Sequence, residues 1–184
     1  MTLLSLRFMA PLVLCGFASA QSGTFCFGTG SSGPCPCANN GMNGRGCENS
    51  ALTGGGELSF QGTTTPDTMK LSGSHVLPGV LGIFLQGDAQ LTTAVTFGDG
   101  LRCVGGTLKR LYVKNANGSG HVEAPEVNDG DLSITARSAQ LGDTIAQGST
   151  RVYQVYYRDP SATFCPAPQG STFNVTNGVI IDWQ

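Results

Sequence analysis

Cysteine spacing constrains the fold of this chain more than any other feature of its sequence. Seven cysteines stand among its 184 residues: Cys15, Cys26, Cys35, Cys37, Cys47, Cys103 and Cys165. Four of them fall within residues 21–56, a segment rich in Gly, Ser and Asn and nearly free of apolar periodicity. Because such a segment cannot build a hydrophobic core of its own, covalent bridges must supply its order. We therefore predict that residues 21–56 form a disulfide-stapled, Gly-rich cap.

The first twenty residues have the pattern of a secretory signal peptide. Residues 1–20 combine a single positive charge, Arg7, with an apolar stretch and a small-residue end before Gln21. Cleavage after Ala20 would deliver a secreted protein, extracellular or periplasmic, and would remove Cys15. Six cysteines would then enter an oxidising compartment, and an even number favours three disulfides.

The pairing of the six cysteines is only partly constrained by their spacing. Cys35 and Cys37 are too close in the chain to pair with each other without strain. The most economical schemes join the four N-terminal cysteines among themselves. Two such schemes remain open: Cys26 with Cys37 and Cys35 with Cys47, or Cys26 with Cys35 and Cys37 with Cys47. Either scheme leaves Cys103 to pair with Cys165.

From residue 57 onward, short runs of alternating apolar and polar residues are separated by turn residues. This pattern is typical of strands in a sandwich, with a barrel as the second choice. We predict an all-β fold, a β-sandwich of Ig-like or jelly-roll-like type, over residues 57–184, forming one unit with the cap. The predicted strands fall in the runs 58–60, 69–71, 80–85, 91–97, 111–113, 132–136, 153–157, 173–175 and 179–183. Asp99-Gly100 is expected to form a tight hairpin turn.

Several motifs resemble a family of secreted bacterial Gly/Cys-rich β domains. The matching stretches are FCFG at 25–28, CPCANNG at 35–41, GRGC at 44–47, NS at 49–50, FGDGLRC at 97–103, YQVYYRD at 153–159 and FNVTNG at 173–178. They extend over essentially the whole chain that follows the predicted signal peptide. The resemblance implies an exported bacterial protein in which cap and sandwich form one unit, and it supplies no catalytic residues.

Charge and hydropathy exclude two classes of partner. Charged residues make up only 12% of the chain, and the formal net charge is -2. Nucleic-acid binding is not expected, because the chain has no basic footprint. A membrane span is not expected either, because no apolar stretch reaches the roughly 20 residues that a spanning helix needs. No motif calls for a cofactor, and none is predicted.

Histidines offer little for catalysis. His75 and His121 have Ser72, Ser74 and Ser119 near them in sequence. A Ser-His-acid hydrolase needs its nucleophile on a strained turn and a base oriented by a carboxylate, and the sequence around Ser119 lacks the strand-turn-helix context. We therefore predict no catalytic activity and keep a small secreted hydrolase as the third hypothesis.

A run of oxygen-bearing side chains is a weak candidate for calcium binding. Four carboxylates and an amide fall within nine residues: Glu123, Glu126, Asn128, Asp129 and Asp131. Hard oxygen ligands on a loop suit Ca²⁺, but the spacing does not match an EF-hand. The favoured interpretation is an ordinary hairpin connection, with a turn at Asn128-Asp129-Gly130.

Strand alternation predicts one notable surface. If Leu111 and Val113 point into the core, and Tyr153, Val155 and Tyr157 do the same, then the alternate residues of both strands point outward. These outward residues are Arg110, Tyr112, Lys114, Tyr156 and Arg158. If both strands belong to one sheet, this set forms a basic, aromatic face on an acidic protein.

Two functions are therefore weighed above catalysis. The first is a secreted structural or interaction module at the cell surface or in the medium, with a protein or glycan as its unknown partner. The alternative is a carbohydrate-binding module that uses the basic, aromatic face, since exposed aromatic side chains are informative when clustered.

Overall fold

A computed structural model describes residues 22–184, and the regular secondary structure of these residues is mostly antiparallel strands. The strands are β1 (Gly23–Phe25), β2 (Glu57–Gln61), β3 (Lys70–Ser74), β4 (Leu81–Gly87), β5 (Ala89–Phe97), β6 (Gly100–Gly105), β7 (Lys109–Asn115), β8 (Val122–Ala124), β9 (Thr150–Arg158), β10 (Phe173–Val175) and β11 (Gly178–Asp182). A central sheet has the order β1-β11-β9-β4-β7, and β10 also pairs with β9. The signal-peptide prediction for residues 1–20 lies outside the described residues.

One face of the central sheet carries the main core. The three-stranded sheet β2-β3-β8 packs across this face and contributes apolar residues such as Leu58 and Leu71. From the central sheet, Tyr153, Val155 and Tyr157 point into the same core, as their alternation predicted, and all three are fully buried. Burying side chains of this size contributes about 1.5–3 kcal/mol each. The predicted all-β sandwich is confirmed.

One predicted strand is a helix. The alternation at 132–136 indicated a strand, but helix α1 spans Ile134–Gln140. Ser133 caps the helix by accepting a hydrogen bond from the Ala136 amide, and the residues that follow include good helix formers. Asp67 accepts a further bond from the Thr135 amide at 2.8 Å. Capping and helix propensity therefore override a short alternating run.

The hairpin β5-β6 covers part of the opposite face of the central sheet. Gln154, which points away from the main core, is nevertheless fully buried. Its side-chain oxygen accepts bonds from the Cys103 and Val104 amides at 2.9 and 3.1 Å, and its nitrogen donates to the Leu101 carbonyl at 3.0 Å. One glutamine side chain thus holds the edge of β6 against β9.

The turn of this hairpin lies one residue earlier than predicted. Phe97 pairs with Gly100, so the turn residues are Gly98 and Asp99 rather than Asp99 and Gly100. The positive φ that such a turn requires occurs at Gly98, at 63°. The hairpin prediction is otherwise confirmed.

All six predicted cysteines form disulfides, but two of the three bridges leave the cap. The pairs are Cys26–Cys103, Cys35–Cys47 and Cys37–Cys165. Only Cys35–Cys47 is internal to the cap, and one of the two predicted schemes contained this bridge. The predicted Cys103–Cys165 bridge and both predicted partners of Cys26 are wrong, because strand β1 adds to the central sheet beside β11 and carries Cys26 towards the hairpin.

Glycines allow the cap backbone to pack against itself. An added methyl group at Gly28, Gly41 or Gly55 would overlap the backbone of Gly46. At Gly46 itself, the methyl would overlap the Val175 carbonyl of β10. The Gly content of the cap therefore reflects close backbone approach, and Gly46 seats the cap on the sandwich.

Candidate functional site

Strand β7 does not present the alternation that the sequence predicted. Phe84 of β4 pairs with Tyr112, but the next residue, Leu85, pairs with Arg110. Leu111 is therefore the extra residue of a β-bulge, which reverses the alternation beyond it. Tyr112 is 5% exposed, whereas Val113, predicted to lie in the core, is 55% exposed.

Two residues of the predicted face are corrected as a result. Tyr112 belongs to the main core and donates its hydroxyl to the Leu132 carbonyl at 2.8 Å. Burial raises the pKa of Tyr112. Lys114 points toward the loop after β8, where its ammonium group lies 2.7 Å from the Asp131 carboxylate. Neither side chain is available to a ligand on the outer surface.

The other predicted residues do share the outer side of the central sheet. Strands β7 and β9 belong to one sheet, but β4 lies between them. Tyr156 pairs with Ile83, which pairs in turn with Val113, so the three form a row across the sheet. Arg158 extends from β9 and Arg110 from β7, both exposed. Tyr156, Arg158 and Arg110 therefore remain candidates.

Three aromatic rings meet where the hairpin touches this row. Phe97 lies 5.6 Å from Tyr156 and 4.9 Å from Phe173 between ring centroids, and Tyr156 lies 5.9 Å from Phe173. All three contacts are edge to face, the geometry that the ring quadrupole favours. All three side chains are only partly buried. Arg102 of β6 adds its guanidinium 5.7 Å from the Phe97 ring centroid.

We call this outer surface the open face. Its members are Ile83, Val113, Phe97, Tyr156, Phe173, Arg102, Arg110 and Arg158. Sequence reasoning did not identify Phe97, Phe173 or Arg102 as site residues, because their assembly depends on the hairpin folding back over β9 and β10. Only Phe97 had a positional signal, as the aromatic residue at the end of the strand before the predicted turn.

The candidate calcium ligands surround a lysine. Lys114 lies 2.8 Å from Asp129 and 3.4 Å from Glu126, in addition to its contact with Asp131. Although burial alone would lower the pKa of Lys114, hydrogen bonds to these carboxylates raise it. Hydrogen bonding to Lys114 lowers the pKa of Asp129. These carboxylates thus neutralise an ammonium group, which occupies the position a cation would need.

The remaining candidate ligands of this run are placed separately. Glu123 belongs to β8 and accepts from Lys70 at 2.5 Å. Asn128 lies in a 3₁₀ turn, Val127–Asp129. Within residues 22–184, no group of three or more His, Cys, Asp or Glu side chains has an arrangement suited to a metal ion.

His75 lies beside a serine and a carboxylate, but not as a catalytic triad. Arg45 Nη2 lies 3.0 Å from His75 Nε2. A guanidinium group can only donate, so Nε2 must accept and the ring proton must reside on Nδ1. Nδ1 is the atom that faces Ser74 Oγ at 3.0 Å and Glu57 at 3.6 Å. This imidazole therefore cannot take the Ser74 proton.

His121 also fails to provide a triad. Its Nε2 lies 3.9 Å from Glu123 Oε2, and Ser72 donates directly to the same oxygen at 2.9 Å. The carboxylate, not the imidazole, contacts the hydroxyl. A general base must lie between nucleophile and orienting acid, and here the order is reversed.

A buried carboxylate supports the hairpin turn beneath the aromatic rings. Asp99 is fully buried, and its Oδ1 accepts from the Ser171 amide at 2.6 Å, two residues before Phe173. Its Oδ2 has no partner within the described residues. Burial, together with the negative charge of Asp159, raises the pKa of Asp99 to about 6, against the opposing effect of the Ser171 bond.

Asp99 makes stability depend on pH. Since its folded-state pKa is raised, the ionised form is penalised in the folded protein, and stability falls as pH rises through about 6. We expect Asp99→Asn to flatten this dependence by up to about 3 kcal/mol between pH 4 and 8, at 1.36 kcal/mol per pKa unit. Urea unfolding of both proteins across this range measures the difference, and parallel curves would contradict the assignment.

Comparisons with known proteins place no relative beside this fold. No family model, curated protein or solved structure matches the chain. None of the helices among residues 22–184 has the length and apolar character needed to cross a bilayer. The open face therefore has to be interpreted from its own chemistry.

Proposed function

We propose that this protein is a secreted, non-catalytic module that binds a polysaccharide through the open face. The observation that carries the proposal is the trio of partly exposed rings, Phe97, Tyr156 and Phe173, beside partly buried Ile83 and exposed Val113. Contiguous exposed apolar patches mark interaction sites on soluble proteins. Ring faces pack well against the C–H groups of sugars, and the neighbouring arginines donate hydrogen bonds.

Secretion is supported by the covalent framework. Three disulfides in one small domain are typical of proteins that fold in an oxidising compartment. The pattern of residues 1–20 agrees with export. The motif resemblance to secreted bacterial domains points in the same direction.

A non-catalytic role is supported by the two histidine sites. In one, the Arg45 contact at Nε2 places the ring proton of His75 on Nδ1, the nitrogen that faces Ser74. In the other, the carboxylate stands between hydroxyl and imidazole. A purely structural role, without a ligand, remains the competing hypothesis, and it predicts that changes to the open face have no effect on binding.

Affinity electrophoresis through gels that contain single polysaccharides tests the proposal. We expect at least one of alginate, polygalacturonate, xylan and galactomannan to retard the protein. Tyr156→Ala with Phe173→Ala should abolish the retardation, because stacking area is lost. Leu52→Ala, at a residue 74% exposed in the cap, is the matched control and should leave it unchanged.

Two results would contradict the proposal. One is the absence of retardation in every gel. The other is the release of reducing ends from a polymer by the wild-type protein, which would replace the binding module with a hydrolase. Thermal unfolding of each variant separates a lost surface from a lost fold.

A further inference from the structure

Positive charge is concentrated on the open face of a chain that is acidic overall. Arg102, Arg110 and Arg158 lie on this surface, whereas the formal net charge of the chain is -2. None of the three takes part in an ion pair recorded for residues 22–184, although most other Lys and Arg side chains have partners. The outward positions of β4, β7, β9 and β10 carry no Asp or Glu.

Two of these arginines are held in place and still have donors to spare. One Nη atom of Arg102 donates a hydrogen bond to the Val104 carbonyl at 2.6 Å, and the guanidinium group also contacts Phe97. One Nη atom of Arg158 donates a hydrogen bond to Thr172 Oγ1 at 3.2 Å. A guanidinium group has five N–H donors in a planar fork, which suits bidentate binding of a carboxylate. The rest of each fork can therefore receive an anionic group.

The open face is a poor site for an extended peptide. Strand addition requires a free sheet edge, where backbone groups lack partners. Here Ile83 and Tyr156 lie on β4 and β9, each of which is hydrogen-bonded on both sides, and only Val113 lies on the edge strand, β7. A ligand that lies across β4 and β9 must therefore bind through side chains alone. A sugar chain does this with its ring faces and its charged substituents.

We infer that the ligand of the open face is an acidic polysaccharide, whose carboxylates pair with Arg102 and Arg158 while its sugar rings pack on the aromatic trio. This inference rests on the proposed function and narrows its ligand class. The arginines without ion pairs give this surface its positive charge, and the partly exposed rings give it apolar contact area. The combination fits a uronate polymer better than a neutral glycan.

Titration calorimetry with polygalacturonate and its carboxyl-reduced form tests the inference. The acidic polymer should bind at least about tenfold more tightly than the reduced one, equal to about 1.4 kcal/mol. In about 1 M NaCl, where the Debye length falls to about 3 Å, this preference should disappear. Arg102→Gln with Arg158→Gln should weaken binding of the acidic polymer by about tenfold or more.

Lys70→Gln supplies a control for the loss of positive charge away from the open face. Lys70 lies on β3 and pairs with Glu123 at 2.5 Å. This variant removes one positive charge, whereas the arginine pair removes two, and its affinity should stay within about twofold of the wild type, less than 1 kcal/mol.

Three outcomes would overturn the inference. If both polymers bind alike and both lose binding with Phe173→Ala, the carbohydrate-binding proposal stands and the acidic ligand is wrong. If Lys70→Gln weakens binding as much as the arginine pair, general charge attraction replaces a defined site. If poly-glutamate binds more tightly than the polysaccharide, the surface recognises an acidic peptide.

Discussion

Replacing Cys37 and Cys165 together by alanine should cost more stability than replacing Cys35 and Cys47. The two residues are 128 positions apart, and in the chain-entropy model a loop of this length constrains the unfolded state by about 5 kcal/mol. Because the Cys26–Cys103 bridge would remain and shorten the effective loop, we expect a loss of about 4 kcal/mol. Urea unfolding, followed by the fluorescence of the single tryptophan, Trp183, measures it.

The Cys35–Cys47 bridge provides the comparison. Its separation is only 12 positions, for which the same model gives about 3 kcal/mol. The double alanine variant at these positions should therefore unfold at a higher urea concentration than the Cys37/Cys165 variant. The reverse order would show that local contacts in the cap, rather than loop closure, dominate the contribution of its disulfides.

Gly46→Ala should destabilise the protein by about 3 kcal/mol or more, since overpacking against rigid backbone cannot be relieved by side-chain rotation. The added methyl would overlap the carbonyl of Val175 and approach the backbone of Thr176 at 2.9 Å. Gly46 has no positive φ to complicate the result. The loss should be steric, and it should appear as weakened docking of the cap on β10.

Gly118→Ala is the matched control for this substitution. It also lacks a positive φ, and a methyl group there would meet nothing within 4 Å. We expect its free energy of unfolding to stay within about 0.5 kcal/mol of the wild type. Equal effects of the two substitutions, measured in the same urea titration, would contradict the steric explanation for the glycines of the cap.

The fold class could be predicted from the sequence because a strand with one buried face has apolar residues at every second position. Tyr153, Val155 and Tyr157 alternate with outward residues, and the structure buries all three. The same logic located the strands that contain Leu58, Leu71 and Val179. Such alternation indicates a strand that is covered by another layer on one face, and the central sheet of this protein is covered in this way.

The candidate site was harder to predict, since it depends on which strands pair and in which register rather than on the periodicity of apolar residues. One extra residue, Leu111, reverses the direction of Tyr112 and Val113, and no residue type announces a bulge at that point. Gln154 has an outward position in its strand, yet the hairpin buries it. Which surface stays open is decided by contacts between residues far apart in the chain.

Disulfide connectivity was misjudged for a related reason. Economy of loop length favours bridges within the cap, but strand β1 inserts beside β11 and places Cys26 next to Cys103. Three paired residues of β1 determine this placement. A three-residue strand without clear alternation leaves no periodic trace in the sequence.

The glycines around Gly46 have a consequence for how relatives of this protein could be recognised. Gly28, Gly41 and Gly55 approach its backbone too closely for any side chain, so distant homologues should retain these glycines even where their strands have diverged. The surrounding surface residues face no such restriction. A family of these domains would thus be defined by conserved glycines interleaved with its cysteines. The surface residues that determine ligand preference would be free to vary.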